Sequence, residues 1–322
     1  MIWETLRWVS SQWMHDGNNA ADKLTPIEIL KNAKTGTRYR CVEYGRVLAA
    51  VLRSFGYLSR GISMESVNSA YGAPGSGHFA TEVWCDDLKK WIFLDPQFCI
   101  YTQFNGQYLN YYEMYKLKKE GKFSEIKFII SKGYTGYMAQ GTKTAEEHIN
   151  GYSSFLFNYF GVMKINGKVA GKTVTLRLLM ESQNQYLTFQ GFSTDNFIHT
   201  TDPVDFYFPC NQNTVIFRYK NPEKQFNIYS ELGKQGKIKG AADQVKYVPL
   251  FAAVPDFLIY NDSNMPWLSH YELSHNGKKI ELNANGYFDI SLKEGNNIIH
   301  SVAVNKNGKR GSETVIKMRY GK

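Results

Sequence analysis

Apolar positions recur at the helical period most clearly between Cys41 and Gly56. Val47, Leu48, Val51, Leu52 and Phe55 fall at three- and four-residue spacings, and Gly56 stands where a helix C-terminus favours glycine. The pattern predicts a helix whose first turn holds Cys41. Upstream, Thr25-Pro26-Ile27-Glu28 reads as a capping box with proline at the first helical position, which predicts a helix from Pro26 to Ala33. Downstream the period drops toward two. Leu58 to Met64 reads as a strand, followed by a loop rich in Ser, Gly and Pro from Ser69 to Gly77. His78–Trp84 and Trp91–Pro96 then read as the two arms of a hairpin turning around Cys85 to Lys90. Asn110-Tyr111-Tyr112-Glu113 opens a further helix that reaches Glu120 and closes at Gly121.

From about residue 160 the texture changes to short apolar or alternating runs. Asn-Gly pairs at Asn166-Gly167, Asn276-Gly277, Asn285-Gly286 and Asn307-Gly308 predict tight turns. His270–Ser274, Lys279–Leu282, Gly286–Leu292, Asn297–Asn305 and Glu313–Arg319 read as successive strands, a spacing that suggests a small sandwich of immunoglobulin-like type. The expected class is α+β, with a mixed region over 1–160, a β-rich middle over 161–250 that is possibly a separate domain, and a sandwich over 251–322.

Composition narrows the classes. A chain of 322 residues that is 43% hydrophobic and 21% charged can bury a core and is not disordered. No apolar run approaches the roughly 18 to 20 residues that cross a bilayer, so no transmembrane segment is expected. The formal charge of +9 is spread along the chain, with short clusters at Lys116, Lys118, Lys119 and at Lys306, Lys309, Arg310, which does not make a nucleic-acid binder. Cys41, Cys85, Cys99 and Cys210 form no CxxC pair and no zinc spacing, so neither a metal nor a cofactor is expected. Met1-Ile2-Trp3-Glu4 opens an amphipathic stretch rather than a secretion leader, and cytoplasmic residence does not follow from that.

Cys41, His78 and Asp95 carry the candidate chemistry. A thiol is a useful nucleophile as the thiolate, and a helix N-terminus favours the charged form of a cysteine placed there. A nearby imidazole serves as ion-pair partner and base, and a carboxylate behind it fixes its tautomer. With a hairpin turn at Asp86-Asp87, His78 and Asp95 are directly opposed on one face; with the turn two residues later they are diagonal on the same face. A one-residue slip would part them. Taken alone, each has a plainer reading: a buried thiol, a strand histidine and a strand-end acid. Alternation puts Glu82 on the face of His78, where a solvated strand residue is the plain reading; Gln97 reads as a loop residue beside a cleft. Phe155, Phe157, Tyr159 and Phe160 read as core, and His148, His199, His270, His275 and His300 as surface or strand histidines.

Arg40-Cys41-Val42-Glu43-Tyr44-Gly45 opening a helix that ends at Phe55-Gly56-Tyr57, then Gly77-His78-Phe79-Ala80-Thr81-Glu82-Val83-Trp84, then Trp91-Ile92-Phe93-Leu94-Asp95-Pro96, resemble the transglutaminase-like superfamily of bacterial type. The resemblance covers roughly 25 to 130 and implies a papain-like fold. It makes Cys41 the nucleophile, His78 the base and Asp95 the orienting acid, with the Cys41 backbone amide in the oxyanion hole. An upstream side-chain donor is implied as well. Trp8 and Trp13 are placed for that role, with core packing the equal reading for both and for Trp3. Arg40 departs from the small residue often found before the nucleophile. The implied activity is a cysteine peptidase or amidase acting on a peptide, protein or cell-wall amide. Acyl transfer to lysine, or a retired enzyme whose β domain grips a glycan or a protein, are the alternatives. An immunoglobulin-like appendage on such a domain suggests a periplasmic or cell-surface location.

Overall fold

The computed structural model describes residues 1–67, 69, 77–136, 142–169, 172–183, 197–208, 210, 213–234 and 254–320. Most of the predicted Ser69–Gly77 loop lies outside them. The chain divides into two compact units, Met1–Cys210 and Asn211–Lys322.

In the first unit, α1 (Ile2–Ser10), α2 (Pro26–Ala33) and α3 (Cys41–Ser54) precede β1 (Ser59–Glu65), β2 (Gly77–Cys85), β3 (Lys90–Asp95), β4 (Ile100–Phe104) and β5 (Gln107–Tyr108). α4 (Tyr111–Lys119), β6 (Lys127–Ile130) and α5 (Ala145–Leu156) follow, then β7 (Val162–Val169), β8 (Lys172–Leu179) and β9 (Phe197–Thr200). One sheet runs in the order β5-β4-β3-β2-β1-β7-β8-β9, with β6 paired to β4. All its pairs are antiparallel except β8 with β9.

Alternation along β2 and β3 sends side chains into two cores. Val83, Ile92 and Leu94 pack with Leu6 and Val9 of α1, Ile29 of α2, and Val47, Leu48 and Leu52 of α3. Ala80 and Phe93 point the other way, into a core with Met114 of α4, Tyr152 and Leu156 of α5, and Phe160. Neither face is left to water, so these strands read as nearly continuous apolar runs. Helix starts follow their caps: Thr25, Asn110 and Thr144 each form a reciprocal capping box.

Three local expectations change. The β2–β3 loop is the four residues Asp86–Lys89, since Cys85 pairs with Lys90, and Lys89 takes a left-handed φ of 50°. Asn166-Gly167 makes no turn but lies inside β7, opposite Thr175 and Val174. Of the aromatics read as core, Tyr159 and Phe160 are buried and Phe155 packs on the core from α5, but Phe157 is 44% exposed. The segment read as a middle region is divided. β7 pairs with β1, so β7, β8 and β9 lengthen the first unit's sheet. Pro222–Lys234 forms a helix, α6, in a stretch that reads as β-leaning.

The second unit packs two sheets. β10 (Asn213–Tyr219), β11 (Asp256–Ser263) and β14 (Phe288–Ser291) form one, in the order β10-β11-β14. β12 (Leu268–His275), β13 (Lys278–Ile280), β15 (Gly295–Asn305) and β16 (Thr314–Tyr320) form the other, in the order β13-β12-β15-β16. Phe257, Ile259, Leu273, Phe288, Ile290, Ile299 and Met318 fill the space between them. β10 pairs with β11 along its whole length, so this sandwich begins near residue 213 rather than 251. Asn276 and Gly277, with φ of 48° and 78°, make the tight turn between β12 and β13 that an Asn-Gly pair favours.

Candidate active site

Cys41 is the first residue of α3 and is half-buried. Arg40 holds the N-cap position, where no side chain accepts from the helix amides. An arginine has no acceptor, so the free N–H groups of the first turn stay open beside the thiol. The Arg40 guanidinium is drawn to Asp22 at 2.7 Å and to the fully buried Glu43 at 3.0 Å.

Two sets of contacts fix that helix end. The chain upstream is strapped alongside it: His15 bridges to Tyr39, Asp16 N donates to Tyr39 O at 2.9 Å, and Asn19 Nδ2 donates to Arg38 O at 2.6 Å. The Tyr44 hydroxyl donates to Trp13 O at 2.5 Å. On the sheet side, the Phe79 ring lies against Gly45 and Gly61, where an added Cβ would stand 2.4 Å from ring carbons at each position. Thr81 Oγ1 donates to Gly45 O at 3.1 Å. Glycine at 45 therefore lets α3 sit down on β2, the strand that carries His78.

His78 and Asp95 are diagonal neighbours. Thr81 faces Leu94 in the ladder, so the hairpin is centred one residue beyond an Asp86-Asp87 turn, with both side chains still on one face. His78 Nε2 and Asp95 Oδ2 are 2.6 Å apart, and both residues are buried. The Cys41 thiol is near enough to the ring to raise its pKa, and with Nε2 on Asp95 the ring nitrogen left for it is Nδ1. Asp95 is held from three further directions. Its Oδ1 accepts from Gln97 N at 3.0 Å and Phe98 N at 3.3 Å, and its Oδ2 accepts from the Tyr152 hydroxyl at 2.8 Å. The structure thus brings Cys41, His78 and Asp95 together, with the imidazole hydrogen-bonded to the carboxylate.

Burial by itself would lower the His78 pKa. The charge and hydrogen bond of Asp95, then the hydrogen bond and charge of Cys41, outweigh it, and the value stands above the ordinary imidazole range. Aromatic rings enclose the imidazole: Phe155 meets it edge-on at 5.0 Å, Phe98 at 5.8 Å and Tyr159 at 6.3 Å. Burial, then the neighbouring Cys41, raises the Tyr159 hydroxyl. His15 stands within electrostatic reach of the same pair. Burial and the His78 charge lower its pKa, while Asp16 and Asp95 act against them.

Other sequence-marked residues sort differently. Glu82 is not solvated: it is fully buried, pairs with Arg60 at 2.6 Å, and accepts from Tyr111 N and the Tyr207 hydroxyl. Gln97 is buried, and its amide holds Asp95. His148 is neither on the surface nor on a strand; it lies buried on α5, with Nε2 2.8 Å from Phe98 O. His199, His270, His275 and His300 do sit on strands. Trp8 is 44% exposed on α1, and Trp3 stacks on Tyr101 and Tyr108. Trp13 is buried between Tyr39 and Tyr44, and its indole N–H has no hydrogen-bond partner among the described residues. All four cysteines are free, and burial pushes the Cys99 and Cys210 thiols up to about 11. Among the described residues no group of three or more His, Cys, Asp or Glu is arranged to hold a metal, and no described helix is long and apolar enough to cross a membrane.

Tyr152, Phe155 and His15 are the neighbours that sequence reasoning missed. Thr144-Ala145-Glu146-Glu147, a legible capping box, was the available signal for α5 and hence for Tyr152. No comparable local signal marks His15.

No family model matches the chain, and no curated protein matches it. Among solved structures it aligns with the crystal structure of red sea bream transglutaminase, at 11% identity and a TM-score of 0.22, over 100% of this chain and 68% of that one. At that score the likeness carries no argument. The chain is of mixed α and β class.

Proposed function

We propose that the first unit is a cysteine-dependent amide hydrolase, a peptidase or amidase of transglutaminase-like type. The observation that carries the reading is the His78 ring held between Cys41 and Asp95, 2.6 Å from the carboxylate. The resemblance of the three flanking motifs adds to it.

In this reading the Cys41 sulfur attacks the amide carbonyl carbon. The C–N bond breaks, and the departing amine takes a proton from His78. The thioester left on Cys41 is opened by water, whose proton returns to His78 as the C–S bond breaks. Asp95 keeps Nε2 engaged and stabilises the imidazolium, so Nδ1 is the atom that exchanges protons with thiol and substrate. The oxyanion that forms beside Cys41 falls to the open amides of the α3 first turn. A lysine amine in place of water would make the same machinery an acyl transferase.

The test is the pH profile of iodoacetamide alkylation at each cysteine, read by mass spectrometry. Cys41 should react in mildly acid solution where Cys85, Cys99 and Cys210 react slowly, and His78→Ala should remove that acid limb. A Cys41 profile that follows Cys85, or no reaction at all, would end the enzyme reading.

A second reading concerns the other unit. A cleft of about 950 Å³ opens between β11 and β12, lined by Tyr260, Tyr271, His270, Glu272 and Arg310. Rings beside planar polar groups suit a glycan. Retention of the full chain on insoluble polysaccharide, lost in Tyr260→Ala/Tyr271→Ala, is the check.

A further inference from the structure

One face of α5, continued by the turn after it, runs along the whole site. Tyr152, Phe155 and Tyr159 are spaced by three and four residues, the spacing of neighbours on a helix surface. The Tyr152 hydroxyl reaches Asp95, the Phe155 ring meets the His78 imidazole edge-on at 5.0 Å, and Tyr159 stands within electrostatic reach of Cys41. The three side chains therefore follow acid, base and nucleophile in order. Phe155 lies 4.6 Å from Tyr159, and Phe98 extends the wall, 5.8 Å from His78 and 5.6 Å from Phe155.

These rings are not equally covered. Tyr152 and Tyr159 are buried, while Phe98 and Phe155 are only half-buried against the core. Tyr152 has a polar task in holding Asp95. Phe155 has none, and its half-open ring leaves apolar surface beside a buried imidazole. A ligand group that covers such surface gains by releasing water from both partners. A polar or charged group laid on it would give up hydration without a partner.

The chemistry decides which part of a substrate meets this wall. His78 gives its proton to the departing nitrogen, so that nitrogen must come within about 3 Å of the ring. Whatever the nitrogen carries stands one or two bonds further out, within reach of rings centred 5.0 Å and 5.8 Å from the imidazole. The acyl part stays on Cys41 as the thioester and has no need of the same space.

We propose that Phe155, with Phe98 beside it, forms the leaving-amine subsite and that this subsite takes an apolar substituent on the departing nitrogen. The inference rests on the amide-hydrolase reading above and names the substrate class on one side of the broken bond.

The test compares two alkylating amides, N-(2-phenylethyl)chloroacetamide and N-(2-hydroxyethyl)chloroacetamide. Each forms a bond from Cys41 Sγ to the chloromethyl carbon and expels chloride. The ratio of their rates at Cys41 is divided by the same ratio for free glutathione, which removes intrinsic reactivity. The phenylethyl probe should be favoured about tenfold in the parent. Phe155→Ser should bring the preference below about threefold, and Phe155→Leu, which restores an apolar side chain, should keep most of it. Ile27→Ser, which removes an apolar side chain 66% exposed on α2, should leave the preference at its parent value. In the parent, N-(2-phenylethyl)acetamide, which has no leaving group, should slow the phenylethyl probe, and N-(2-hydroxyethyl)acetamide should not. Should Phe155→Ser fail to fold, Phe155→Leu and this protection decide. Equal rates for the two probes, no protection, or a preference that survives Phe155→Ser would overturn the subsite while iodoacetamide still reports a reactive Cys41. Failure of iodoacetamide itself to modify Cys41 would instead overturn the hydrolase reading, and this inference with it.

Discussion

Asp95 Oδ2 accepts from both His78 Nε2 and the Tyr152 hydroxyl, while backbone amides of Gln97 and Phe98 hold Oδ1. Four donors on one buried carboxylate fix its plane. Its effect on His78 is to raise the imidazole pKa against the opposing pull of burial. The sign for stability follows. A group whose folded pKa is raised contributes stability that is fully present below the unfolded value of about 6.5 and is lost as pH rises through the folded value. The melting temperature of the parent should therefore exceed that of His78→Gln most clearly below about pH 6.5. The gap should narrow as the solution turns alkaline. Thermal melts across that range check it, and a gap that widens with pH would contradict the assignment. Cys41, His78 and Asp95 were legible in the sequence because each stands in a marked local setting: a helix start and two hairpin arms. Tyr152 and His15 were not, since each reaches the site through contacts that no local period records.

At the level of elements, the seat of α3 on β2 depends on what is absent at Gly45. Phe79 occupies the space a side chain would take, and that ring also lies on Gly61 of β1. Gly45→Ala should cost about 1 to 3 kcal/mol by overpacking, read as a lower urea midpoint with unchanged slope. An unchanged midpoint would mean that the helix is not held there. The Thr25 and Asn110 boxes and the α3 period correctly located their helices, because helix starts and faces are properties of a few adjacent residues. Hairpin register was less determined. Parity placed His78 and Asp95 on one face in either of two registers, and the four-residue loop Asp86–Lys89 selected the diagonal one.

For the whole molecule, the division at 210/211 puts Cys41, His78 and Asp95 in the first unit together with Gln97, Phe98, Tyr152 and Phe155 around them. A chain ended after Cys210 should fold and keep the Cys41 alkylation profile, checked by circular dichroism and the same mass-spectrometric assay. Loss of the profile in a folded fragment would show that the site needs the second unit. Local pattern alone determined the mixed α and β class, the Cys41 helix, the His78 and Asp95 arms and the strands from β12 onward, since all follow from the period and punctuation of neighbouring residues. Tertiary structure alone decided that β7 joins β1, that β10 begins the sandwich, that Glu82 is a buried ion-pair member, and that Tyr152 holds Asp95. Strand neighbours and burial depend on residues far apart in the chain, and a one-dimensional pattern does not state which distant segments pair.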